Sequence, residues 1–365
     1  MPHILSIGTS NPPYEVGQNE AMAFARELFK HDYKDIDRLL TVFQTGQIER
    51  RFFSAPLTWF SKPRGFQEKN DLYCQIALDI GSQAIARCLN NNSFFSEPVP
   101  AKEIDAFIFI TSTGLSTPSL DATIMNRMGF ARHTRRIPIW GLGCAGGTAG
   151  LARADDFCRA YPDSAVLVLS IELCSLTFQY SDRSKSNLVG TSLFADGAAC
   201  ALVTGDQSPL LKKTRKESSP YIMGSESTLM PDSEDVMGWD VRDEGLYVVF
   251  SKSIPAVVSE WFKPVAEDFL KKFNLEAREL ANFIAHPGGK KVLDAFQTAL
   301  ELPDYLMTDA AEILRLFGNM SSPTVLYVLD RAMAQEKKLG EYGLAVSLGP
   351  GFTSELLLME WRALS

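Results

Sequence analysis

Histidine is scarce in this chain and cysteine is dispersed. The four histidines, His3, His31, His133 and His286, lie too far apart to form a zinc signature. The six cysteines, Cys74, Cys88, Cys144, Cys158, Cys174 and Cys200, contain no CxxC pair and no dense framework. They read as free thiols of a reducing cytosol, which sets the expected location as cytoplasmic. No stretch approaches the roughly 20 apolar residues of a spanning helix, so integral membrane contact is not expected. The opening MPHILSIGTSNPP is broken by Pro12 and Pro13 before a signal-like apolar core can form. Nor is there a basic run, and the net charge of −8 argues against a nucleic-acid partner.

What is present suits a soluble enzyme acting on small molecules. The 365 residues are 45% hydrophobic and 22% charged, enough for a large core without staples. Short apolar runs read as buried strands at 3–8, 106–112, 137–141, 165–171, 198–203, 283–285, 345–348 and 355–359. Helix-period stretches fall between them at 19–28, 72–89, 145–161, 257–273 and 323–335. Strands alternating with helices imply an α/β architecture. Two segments share a plan of strand, Gly-rich turn and helix: IPIWGLGCAGGTAGLARADDF and NFIAHPGGKKVLDAF. This points to a structural duplication. The polar stretch 208–244 reads as a loop-bearing passage between the halves.

Three residues stand out for chemistry. Cys144 lies in GLGCAGG, where a strand turns sharply into a helix. A helix N-terminus favours a thiolate, and its free N–H groups can hold an oxyanion. Cys144 is also compatible with a small core residue at a tight strand–helix contact. His286 closes a buried strand and is followed by Pro287, Gly288 and Gly289, a pattern that fits a cavity edge or a satisfied structural histidine. Asn319 lies in GNMSSP, just before a helix start at Ser322 and Pro323, and by itself reads as a turn residue. Taken with Cys144 and His286 it is a neutral donor, where an ionised Asp could only accept and would repel an enolate.

The ordered set GLGCAGG, LFADGAA, AHPGGKKVLDA, GNMSSPTVLYVL and GPGF resembles the bacterial type III polyketide synthases of the chalcone synthase superfamily, on the thiolase fold. The resemblance spans nearly the whole chain and looks closest to alkylpyrone-forming members. It implies an α/β thiolase-like fold of two duplicated βαβαβ halves stacked as α-β-α-β-α layers. Residues 1–210 would carry the nucleophile, and residues 211–365 the catalytic His and Asn. Cys144 would be the acyl carrier, with His286 and Asn319 completing the catalytic set. Phe194 matches the gate aromatic, and Gly349, Pro350, Gly351 and Phe352 match the loop that shapes the cavity wall. Thr117, Cys174, Thr177 and Val248 fall at substrate-lining positions. Thr117 replaces a plant Met that reaches the partner subunit, Cys174 a plant Thr, and Val248 a second gate Phe. This loss of bulk leans towards a fatty acyl starter.

The implied reaction is iterative decarboxylative Claisen condensation of malonyl-CoA onto an acyl-CoA starter, with closure to alkylpyrones. No cofactor and no metal are implied. The implied partners are acyl-CoA, malonyl-CoA, a second copy of the chain and, as an alternative donor, a carrier protein. Arg50, Arg51, Lys290 and Lys291 are candidates for coenzyme A phosphates at a tunnel mouth. Rival readings are a single-condensation β-ketoacyl-carrier-protein synthase, a cysteine hydrolase of acyl thioesters, and a non-catalytic acyl-binding scaffold.

Overall fold

All eight expected apolar runs are strands in the computed structural model, which describes residues 2–250 and 254–364. In chain order the strands are β1 (His3–Ser10), β2 (Tyr14–Gly17), β3 (Arg50–Phe53), β4 (Ala106–Thr111), β5 (Arg135–Trp140), β6 (Ala165–Leu173) and β7 (Asp196–Thr204). They continue as β8 (Ser218–Leu229), β9 (Met237–Arg242), β10 (Gly245–Phe250), β11 (Leu280–Ala285), β12 (Tyr342–Gly349) and β13 (Thr353–Ala363). Nine of them form one mixed sheet in the order β11-β12-β13-β8-β1-β7-β6-β4-β5.

The duplication is visible in this order. Outward from β1, the neighbours β7 and β6 pair antiparallel and β4 joins in parallel. Outward from β8, β13 and β12 pair antiparallel and β11 joins in parallel. The first half then adds β5; among the described residues the second half has no equivalent strand. Within the sheet the halves meet at a single register pair, His3 with Tyr221.

The helix Gly146–Ala160 packs against strands of both halves and against the helix Thr324–Ala334. These two form the middle layer. The helix Phe66–Leu89 covers β1, β6 and β7 from outside, and the helices Lys263–Lys271 and Asp304–Phe317 lie against β13 and β11. The layers are therefore α-β-α-β-α, as the family resemblance implied. Close packing at the centre requires glycine: a Cβ on Gly147 would stand 2.3 Å from the carbonyl oxygen of Ser322.

Two details were not foreseen. The passage 208–244 carries, besides its loops, β8, which joins the halves, and β9. Its polar residues hid the strand; Ser227, for example, finds its partner in Glu355, across the sheet on β13. And β5 is not covered on both faces: it is an edge strand, largely exposed.

Candidate active site

Cys144 follows β5 through Gly141 (φ +95°) and Gly143 (φ +48°), both in the left-handed region where glycine alone is unstrained. The Gly143 N–H donates to Ser112 Oγ at 2.9 Å, and the 3₁₀ turn Gly143–Ala145 runs straight into the central helix. The thiol thus stands at that helix's N-terminal end. His286 leaves the end of β11 with its own N–H bonded to the Val346 carbonyl at 2.7 Å, still in register with β12. Asn319 follows Gly318 (φ +69°). Its backbone pairs with the segment at Phe194: the Asn319 N–H donates to Leu193 O at 3.0 Å, and Ala195 N–H donates to Asn319 O at 2.8 Å. Its amide orientation is set on both sides. Nδ2 donates to Gly288 O at 3.2 Å, and Oδ1 accepts from the Ser321 N–H at 2.8 Å. The second Nδ2 hydrogen is turned towards the Cys144 sulfur.

Cys144, His286 and Asn319 line one chamber together with Ser321, Phe194 and Pro350. The tertiary fold thus brings together three residues spread over 175 positions of sequence. Neither ring nitrogen of His286 has a partner among the described residues, and burial pushes its pKa down to about 3. It is therefore a neutral imidazole with one N–H to donate and one lone pair to accept. The Cys144 thiol is pushed up to about 11, first by burial and further by the charge of Glu172, against hydrogen bonds from Ser321 and Asn319. Its Sγ lies 3.5 Å from Ser321 Oγ. Burial thus opposes the thiolate that the helix N-terminus was expected to favour.

Glu172 was not singled out from sequence. It is a lone carboxylate near the end of the apolar strand β6, and that was its only signal. It accepts from the Ser112 N–H at 2.9 Å, Thr113 Oγ1 at 2.7 Å and Ser322 Oγ at 2.7 Å. Burial nevertheless pushes it up to about 7. Through Ser112 and Ser322 this network braces the turn that carries Cys144.

Phe194 and Val248 line both this chamber and a second, side chamber. Cys174 and Thr177 line the side chamber, whose walls include Phe24, Phe53, Leu57, Phe60 and Phe178. The hairpin β9–β10 supplies much of the partition. Trp239 stands opposite Val248, and Met237 opposite Phe250, so the four share one face. The Phe194 ring stacks on Phe250 at 5.5 Å and leans on Trp239 at 5.8 Å. Trp239 was missed because β9 fell inside the presumed passage; Phe250, at the end of β10, lay beyond it and was not singled out. Bulk absent at Val248 is thus partly restored by its neighbours.

The GPGF loop closes the chamber. Pro350 lines it, and a Cβ on Gly349 would stand 2.5 Å from Leu142 O, so only glycine lets β12 approach the Cys144 turn. Gly351 turns at φ +100°, and Phe352 is buried against Trp261. Outside lies an open depression lined by Thr41, Thr45, Lys290 and Lys291; Phe250 borders both it and the reaction chamber. Arg50 does not line it and pairs with Glu15 at 3.4 Å. The reading of Arg51 as a mouth residue is corrected: it is fully buried, with its guanidinium bound to the carbonyls of Thr191 and Phe194. Thr117 is exposed and lines neither chamber of its own chain. Among the described residues no group of three His, Cys, Asp or Glu could hold a metal, and no helix is long and apolar enough to cross a membrane.

A duplicated α/β body holding a cysteine at the central helix N-terminus, beside a neutral His and Asn, defines a thiolase-like condensing enzyme. The chain belongs to the chalcone and stilbene synthase family: the family's N-terminal domain profile matches residues 3–207 and its C-terminal domain profile residues 222–362. It is 50% identical over 363 residues, 99% of each chain, to a Bacillus subtilis (strain 168) protein described as "Putative chalcone synthase". It is 32% identical to the 1,3,6,8-tetrahydroxynaphthalene synthase of Streptomyces peucetius subsp. caesius, over 98% of this chain and 93% of that one. The crystal structure of the corresponding Streptomyces coelicolor A3(2) enzyme, a bacterial type III polyketide synthase, superposes with a TM-score of 0.91 at 30% identity over 99% of both chains. The chain is accordingly a type III polyketide synthase, a condensing acyltransferase that works on coenzyme A thioesters.

Proposed function

We propose that this enzyme condenses malonyl-CoA repeatedly onto a fatty acyl starter held on Cys144 and releases alkylpyrones. One observation carries the reading: the Cys144–His286–Asn319 chamber shares its Phe194–Val248 wall with an aromatic, apolar room. In loading, the His286 imidazole takes the thiol proton as Sγ attacks the thioester carbonyl, and the proton leaves on coenzyme A. Malonyl-CoA then loses carbon dioxide, and the enolate oxygen is held by the His286 N–H and by the Asn319 N–H that faces the Cys144 sulfur. Both donors act where charge develops, so they favour the transition state over the bound ground state. The enolate carbon attacks the acyl group, displaces Cys144, and the lengthened chain is reloaded. Apolar walls slow protonation of the enolate by water.

The aromatic lining of the side chamber suits an alkyl tail, and the small Val248 leaves room for it to pass. Lys290 and Lys291 at the outer depression suit the phosphates of coenzyme A. Residues 1–210 supply the nucleophile and residues 211–365 the two donors. The exposed edge strand β5, with Trp140 48% and Leu115 43% exposed beside Thr117, suits a second copy of the chain across that edge. The test is incubation with a panel of acyl-CoAs and malonyl-CoA, read by mass spectrometry and carbon dioxide release. Pyrones carrying the starter's alkyl chain are expected. Free acid alone would mean a hydrolase, and a single two-carbon addition would mean a one-step synthase.

A further inference from the structure

Arg51 is fully buried and lines the side chamber next to the partition. Its Nη1 donates to Thr191 O at 2.7 Å and Phe194 O at 2.8 Å, which leaves the other edge of the guanidinium, Nε and Nη2, without a partner among the described residues. That edge is the one arginine uses to grip paired oxygens side-on. Arg136 holds both Asp121 oxygens with its Nε and Nη2, at 2.6 and 2.9 Å. Arg315 holds both Glu312 oxygens in the same way, at 3.0 and 2.9 Å. The same fork in Arg51 is unspent and enclosed, with its guanidinium 5.2 Å from the Phe53 ring, at the wall of a room whose hydroxyl and amide donors are occupied. Thr177 Oγ1 donates to Cys174 O, Ser175 Oγ to Asp196, and Asn187 Nδ2 to Gln179 O and Asp182 O. Asp196, the nearest counter-charge, spends its oxygens on Ser54 and Ser175.

A buried, unsatisfied fork is costly, and two coplanar acceptor oxygens would satisfy it. A saturated acyl tail carries none. Each condensation, however, inserts two carbons between Cys144 and the tail, so after repeated extension the oxygens that follow the tail towards the partition are ketones in a 1,3-relation. We propose that the Nε–Nη2 edge of Arg51 is a binding site for the 1,3-dicarbonyl unit of the growing poly-β-keto chain, just beyond Phe194 and Val248. The site rests on the polyketide reading and adds to it. The aromatic walls take the tail, and the guanidinium recognises a chain that has already been extended.

The experiment compares a long-chain 2,4-alkanedione with the 2-alkanone of equal length as inhibitors of the intact enzyme. In the wild type the dione is expected to bind about tenfold tighter, the scale of a charge-assisted bidentate contact. Arg51→Lys keeps a cation for the Thr191 and Phe194 carbonyls but has no fork, so the difference should vanish there. Should that variant not fold, a wild-type crystal with the dione decides: both oxygens at hydrogen-bond distance from Nε and Nη2 support the site, and a dione lodged elsewhere overturns it. Equal inhibition by the two ketones also overturns it. Turnover of a plain acyl-CoA with malonyl-CoA is read in parallel. Its absence defeats the polyketide reading, whereas turnover without dione discrimination defeats only the Arg51 site.

Discussion

The reaction chamber and the side chamber share a wall and little else. The first is shaped by backbone: two left-handed glycines aim the Cys144 turn, the β11–β12 register sets the main chain at His286, and a bridge to Phe194 fixes Asn319. The second is shaped by side chains, mainly phenylalanines from the N-terminal segment, with one buried guanidinium. Bond-making groups that must hold within tenths of an ångström stand on strand ends and helix starts. Groups that only need to exclude water or bound a chain stand on packed rings, which tolerate repacking. On the proposed reading, chemistry and chain length fall to different parts of the molecule, and Phe194 and Val248 are where they meet.

This division can be broken experimentally at graded cost. Cys144→Ala should abolish condensation, a loss of about ten-thousandfold or more in labelled malonyl-CoA incorporation, because no other group accepts the acyl chain. Retained incorporation would end the assignment of the nucleophile. His286→Ala and Asn319→Ala should each slow malonyl-CoA decarboxylation by about a hundredfold or more, the scale of one oxyanion donor. Carbon dioxide release at the wild-type rate would remove that residue from the set. Alkylation of Cys144 by iodoacetamide, followed on its own peptide, should climb about tenfold per pH unit between about pH 8 and 10. The sign follows from a thiol pushed up to about 11, which becomes thiolate only on the alkaline side. A plateau already reached at neutral pH would show a pre-formed ion pair with His286. Val248→Phe should leave decarboxylation intact and shorten the preferred starter by a few methylenes, each worth roughly 0.8 kcal/mol of burial. An unchanged chain-length profile would mean that Trp239 and Phe250, not Val248, set the opening.

Much of the frame was legible because buried strands announce themselves. Runs such as AVLVLSIEL are apolar without interruption when both faces are covered, and β6 is buried throughout. The strand β8 escaped detection because its residues are largely polar and its place at the join between halves depends on β13 and on one pair with β1. Arg51 shows the same limit at the level of a side chain. In sequence, QIERRF looks like a surface cluster, yet β3 turns Arg51 inward and leaves Arg50 beside Glu15. Glu172 and Trp239 had no local pattern to mark them; their importance comes only from what lies across the fold.

By itself, the order of residues determined the alternation of strands and helices, the sharp glycine turn beneath Cys144 and the opening after His286. These are local matters of backbone freedom and hydrophobic period, and each is decided within a dozen positions. Tertiary structure alone decided that the turn after β5 and the end of β11 face one another, that enclosure keeps the thiol protonated and the imidazole neutral, and that a buried guanidinium waits beside the partition. Those outcomes depend on distance and desolvation between segments far apart in the chain, and neither quantity is written in any short stretch of it.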